Sequence, residues 1–163
     1  MSFHLSSGMP MNIKYFFFPI LFLCSPLLQA QTEIQGLRVI APIPGQDISA
    51  GYLVLKNNSP APIELVSVET ESADRVQIHT HQMNDGMMRM VQLDSLSVEP
   101  GGQAEFKRGG LHLMVFSPDA QALESGSLDM RFTFADGTSI QSEARVEQLM
   151  PGSGSMNHQN HQH

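Results

Sequence analysis

Beyond residue 30 the chain contains no cysteine, and it has no tryptophan anywhere. A domain without cysteine has no disulfide to staple it, no thiolate nucleophile and no thiolate ligand for a metal. Basic residues are scarce as well. After residue 30 there are eight Lys and Arg against sixteen Asp and Glu, a formal charge of −8. That balance argues against nucleic acid as a partner, because binding to phosphates needs clustered Lys and Arg.

Charge is nearly missing from the first 30 residues, where Lys14 stands alone. The apolar run behind it, Tyr15 to Leu23, is shorter than the roughly 20 residues that cross a bilayer as a helix. A basic start, a short apolar stretch and a small residue at Ala30 read as a secretory signal peptide over residues 1–30. Cys24 lies within it and follows Leu23, where a lipid-modified cysteine would follow a small residue. Cleavage after Ala30 is therefore expected, without lipid attachment. No later segment reads as a membrane span, so the remainder is expected to be exported and soluble.

What the remainder does contain is short alternating segments. Residues 49–56 (SAGYLVLK), 62–69 (PIELVSVE), 75–81 (RVQIHTH), 111–116 (LHLMVF), 128–135 (LDMRFTFA) and 139–146 (SIQSEARV) read as strands. Gly, Pro, Asn and Asp clusters separate them, among them Asn57-Asn58-Ser59-Pro60, Asn84-Asp85-Gly86, Arg108-Gly109-Gly110 and Asp136-Gly137. Many short strands with such turns imply an all-β sandwich or small barrel in one domain, residues 31–150. From Pro151 the composition shifts to Gly, Ser, Asn, Gln, Met and His, so residues 151–163 are expected to be a disordered tail.

Methionine and histidine are concentrated. Five of the eight methionines beyond residue 30 lie between residues 83 and 114, together with His79, His81 and His112. Strand parity distinguishes core packing from ligation. In residues 111–116, Leu111, Leu113 and Val115 share the core face, which leaves His112 and Met114 side by side on the other. In residues 75–81, Val76 and Ile78 mark the core face, and Gln77, His79 and His81 share the opposite one. If Asp85-Gly86 is a two-residue turn, Met83 faces Met88, His81 faces Met90, and His79 lies diagonal to Met90. Thioether sulfur with imidazole nitrogen selects Cu(I) over harder ions. A thioether also binds without deprotonation and cannot form a disulfide in an oxidising compartment.

His79, ten residues, Met90, twenty-one residues, then His112-Leu113-Met114 resembles the H-x10-M-x21-H-x-M signature of the periplasmic PCuAC copper chaperones. HTHQMNDGMMRM at 79–90, VEPGG at 98–102, KRGGLHLM at 107–114 and AGYLVLKNNS at 50–59 carry the same resemblance. It covers roughly residues 35–148. The resemblance implies a cupredoxin-like Greek-key β-sandwich holding one Cu(I) near its surface through His79, Met90, His112 and Met114. It further implies a periplasmic metallochaperone, not an enzyme, delivering copper toward the CuA centre of cytochrome c oxidase. Transient partners would be that oxidase's subunit II and a Sco-type protein. The alternative reading is a periplasmic copper buffer or resistance protein with no dedicated client.

His81 stands outside the spacing and reads either as an auxiliary copper contact or as a surface histidine. Met83, Met87 and Met88 read as a rim shielding the ion or as ordinary packing, whereas Met130, between Leu128 and Phe132, reads as core. In the tail, Met156, His158, His161 and His163 resemble an auxiliary copper site, which imidazoles would direct to Cu(II). A polar tail with incidental histidines would look the same.

Overall fold

The computed structural model describes residues 32–84 and 86–148. The signal peptide expected over residues 1–30 and the tail from residue 151, with Met156, His158, His161 and His163, lie outside the described residues.

Ten strands and one short helix make up these residues: β1 (Thr32–Ile40), β2 (Ile48–Asn57), β3 (Ile63–Glu69), β4 (Ala73–Asn84), β5 (Met87–Leu93), β6 (Leu96–Val98), β7 (Gln103–Phe106), β8 (His112–Pro118), α1 (Ala120–Ser125), β9 (Ser127–Phe134) and β10 (Ser139–Glu147). They hydrogen-bond in the order β5-β4-β8-β2-β1-β10-β9-β3-β6, with β7 also pairing β2. Only β1 and β10 run parallel among these pairs. The long strand β2 uses one edge for β1 and divides the other, its Ile48–Gly51 half pairing β8 and its Leu53–Lys56 half pairing β7.

The alternating segments fold as their parity requires. Ile78 of β4, Leu113 and Val115 of β8, and Leu53 and Leu55 of β2 meet Val39 of β1, Leu65 and Val68 of β3, and Leu128, Met130, Phe132 and Phe134 of β9 in one core. Met130 is buried at its centre, between Leu128 and Phe132. The result is an all-β, cupredoxin-like β-sandwich. Fully burying a Leu, Val or Phe stabilises by about 1.5–3 kcal/mol, so this apolar set determines which way each strand faces.

Two local features set the position of β8. Gly51 pairs Leu113, and a Cβ at Gly51 would lie 3.0 Å from the Leu113 Cβ. The missing side chain lets β8 close on β2. At the other end of the sandwich Asn57, with no exposed surface, ties three segments together. Its Nδ2 donates to the carbonyls of Ala61 (2.8 Å), Val98 (2.9 Å) and Glu99 (3.2 Å), and its Oδ1 accepts from the Ser59 amide (2.9 Å) and hydroxyl (2.6 Å).

Replacing Asn57 by alanine orphans several buried partners at once. It is expected to destabilise the domain by about 3 kcal/mol, the upper end for buried groups left unsatisfied. Urea unfolding measures this, and a loss within a few tenths of a kcal/mol would show that water replaces the network.

Candidate metal centre

Strands β4, β5 and β8 carry His79, His81, His112, Met83, Met88, Met90 and Met114 on the face turned away from the core. Because β4 packs Ile78 inward, His79 and His81 point outward, and because β8 packs Leu113 and Val115 inward, His112 and Met114 do the same. The β4–β8 ladder sets His79 directly opposite His112 and Gln77 opposite Met114. The β4–β5 ladder sets Met83 opposite Met88, His81 opposite Met90 and His79 opposite Gln92. Asn84 pairs Met87, the register that a two-residue turn requires.

The three imidazoles form a row across β4 and β8. The ring centres of His79 and His112 are 6.0 Å apart, and those of His81 and His112 are 5.3 Å apart with the rings stacked. His112 is buried, at 7% exposure, although it faces away from the core. The two flanking rings cover it.

Hydrogen bonds leave each ring one free nitrogen. His112 Nδ1 lies 2.9 Å from the Gly110 carbonyl, which can only accept, so the proton sits on Nδ1 and the lone pair on Nε2. His81 Nδ1 approaches the same oxygen at 3.4 Å, near the outer limit for a hydrogen bond, and is left with Nε2 in the same way. In His79 the pattern is reversed. Its Nε2 lies 3.0 Å from Gln77 Oε1, which places the proton there, while Nδ1 is buried with no hydrogen-bond partner. A buried lone pair without a donor is costly unless something else binds it. A metal ion meets that requirement.

The Gly110 carbonyl owes its position to the Lys107–Gly110 turn. This turn closes through the Gly110 amide donating to the Lys107 carbonyl at 3.1 Å, with Gly109 in the left-handed region at φ 77°. Neither Gln77 nor Gly110 carries a ligand signal in the sequence. What they contribute, the choice of ring nitrogen, depends on contacts that spacing does not encode.

The four motif residues are not equally close. His79, His112 and Met114 lie on adjacent strands around one contact. Met90 sits on the far side of β4 at the His81 rung, while Met114 sits at the Gln77 rung, an offset of four residues or about 13 Å along the strand. Met90 is half exposed, and Met83, Met87 and Met88 are more exposed still. Met83 and Met88 form a rim on this face at the hairpin end, Met87 lies on the opposite face, and none of the three takes part in the core. Among the described residues, no three His, Cys, Asp or Glu side chains are placed to share one ion.

Burial, and secondarily the neighbouring charge of His112, pulls the pKa of His79 below its ordinary 6.5. The neutral ring is thus favoured in the folded state. Its contribution to stability is complete above pH 6.5 and is lost as the pH falls through the lowered value.

Long-range 1H–15N NMR of the metal-free protein is expected to show His112 protonated at Nδ1 and His79 at Nε2, with His79 titrating below 6.5. The same tautomer in both rings, or a midpoint for His79 at or above 6.5, would contradict this arrangement.

Comparison with known proteins places the chain among related folds. Residues 32–146 match the model of a lipoprotein family described as LpqE-like. The copper-bound PCuAC domain from PmoF2 superposes with a TM-score of 0.61 at 18% identity, over 73% of this chain and 94% of that one. The solution structure of CuI-DR1885 from Deinococcus radiodurans superposes with a TM-score of 0.54 at 25% identity, over 71% and 78%. The uncharacterised protein RP573 of Rickettsia prowazekii (strain Madrid E) is 26% identical over 91 residues, 55% of this chain and 50% of that protein. The chain thus matches about half the length of that relative. The fold is the one seen in PCuAC domains.

Proposed function

The chain belongs to the LpqE-like family, and on that premise we propose that it is an exported Cu(I) carrier, a metallochaperone that binds and transfers copper without catalysing a reaction. The ion rests on His79, Met90, His112 and Met114. One observation carries this reading: His79 and His112 are cross-strand partners, each with one ring nitrogen free, and Met114 is on the same face two residues on. Thioether and neutral imidazole donors favour Cu(I). The similarity to a Cu(I)-bound domain and a copper-bound PCuAC domain supports it further.

Delivery toward the CuA centre of cytochrome c oxidase, alone or beside a Sco-type protein, is the client we propose. A carrier that hands over by ligand exchange needs an accessible site, and the half-exposed methionine rim supplies one. The compartment proposed is the periplasm. No helix of the described residues is long and apolar enough to cross a membrane.

An anaerobic Cu(I) titration against a chromophoric chelator tests the site. The intact protein is expected to hold one ion tightly, and a Met90→Ala, His112→Ala, Met114→Ala variant to lose at least a hundredfold in affinity, about 2.7 kcal/mol. Equal binding by the two proteins would exclude the site and leave the tail, and a buffering role, as the better account.

Export has its own test. The intact mass of the protein recovered from the envelope is expected to correspond to a chain beginning at Gln31. A heavier species beginning at a lipid-modified Cys24 would show a tethered protein.

A further inference from the structure

His81 lies outside the four-residue set, yet its surroundings are those of a ligand. It is the cross-strand partner of Met90, and its ring stacks on His112 at 5.3 Å. His81 and His112 both turn Nδ1 toward the single carbonyl of Gly110, at 3.4 and 2.9 Å. These two stacked rings, turned by the same atom toward the same oxygen, each keep Nε2 as the nitrogen without a hydrogen bond. Met90, required for the resting site, lies nearer to His81 in register than to either His79 or Met114.

From this geometry we propose that His81 is the exit ligand for copper, resting on the Cu(I) reading of the site. In the resting state the ion is held by His79, His112, Met114 and Met90. In transfer, His81 Nε2 bonds to the ion as the bonds to His79 and Met114 break, with His112 and Met90 held throughout. The ion moves toward the exposed hairpin end without ever being free. Copper stays Cu(I), no electron is exchanged, and no proton moves, because His81 already carries its proton on Nδ1.

An acceptor then meets a three-coordinate ion nearer the exposed hairpin end instead of the four-coordinate resting one. Met83 and Met88, cross-strand partners on the same face, flank that position and leave it accessible. Side-chain exchange between adjacent donors avoids the large barrier of full dissociation, so His81 should act on rates in both directions.

The test is anaerobic stopped-flow transfer of Cu(I) to and from excess chelator. It uses the full chain carrying His158→Gln, His161→Gln and His163→Gln, so that tail imidazoles take no part. Introducing His81→Phe, which keeps a ring to stack on His112, is expected to slow loading and release together by tenfold or more. Their ratio, the affinity, is expected to move less than threefold. His81→Met, which restores a soft donor, is expected to recover most of the rate.

Unchanged rates in His81→Phe would overturn the proposal. So would a tenfold loss of affinity through faster release, which would make His81 a resting ligand. Failure of His81→Met to recover what His81→Phe loses would reduce His81 to packing and overturn it as well. If the parent protein binds no Cu(I), the Cu(I) reading itself fails, and that outcome is separate from any effect of His81.

Discussion

The register between β4 and β8 is the constraint on which the rest of this structure depends. Ile78 meets Leu113 and Val76 meets Val115 on the inner face, so His79 must meet His112 on the outer one. A slip of one residue would place the imidazoles in the core and expose Leu113 and Val115, both without exposed surface here. Each such side chain is worth about 1.5–3 kcal/mol on burial, more than the single hydrogen bonds around the metal face can return. The geometry of the donors is therefore enforced by apolar residues that never touch an ion. Gly51 belongs to the same constraint, since a side chain there would force β8 away from β2 and carry His112 and Met114 with it.

Where the sequence alternates cleanly over a half-buried strand, it could be read directly. Segments 49–56, 75–81 and 139–146 each fall within an observed strand, while 62–69, 111–116 and 128–135 each overrun theirs by one residue, and the inward set Val76, Ile78, Leu113, Val115, Leu128 and Phe132 is the one that parity selects. Met130 is core for the same reason. Strand β1 was hidden because its alternation breaks. The pairing with β2 shifts between Gln35 and Arg38, around Gly36 at φ 61°, so Ile34 and Leu37 fall out of phase. Strands β6 and β7, of three and four residues, are too short for any period to show. Helix α1 buries none of its residues and so has no apolar stripe to reveal it.

The donor face was legible in its membership and not in its internal order. Parity puts His79, His81, His112 and Met114 on one face, and the Asp85-Gly86 connection brings Met90 opposite His81, both from local pattern alone. Ring tautomers are a different matter. His112 is fixed by a carbonyl two residues away and His79 by an amide two residues away, on opposite nitrogens. Those choices arise from short-range hydrogen bonds that many sequences could make in either sense. The burial of His112 is equally invisible in a strand read alone, because the cover comes from two rings on the neighbouring strand.

These observations divide the donor face into a fixed half and a loose half. His112 and Met114 belong to β8, a central strand paired on both sides and seated on the core. Met90 belongs to β5, which among the described residues pairs only β4 and has six of its seven residues exposed. Free energy of local opening is lowest where few apolar contacts hold a segment, so β5 can move while β8 does not. Motion of that kind is also what would close the 13 Å offset between Met90 and Met114 that the strand spacing leaves. A carrier has opposed requirements: hold the ion firmly in transit and give it up on contact. Splitting the proposed ligands between a strand that the core immobilises and one that it does not would meet both with a single set of side chains.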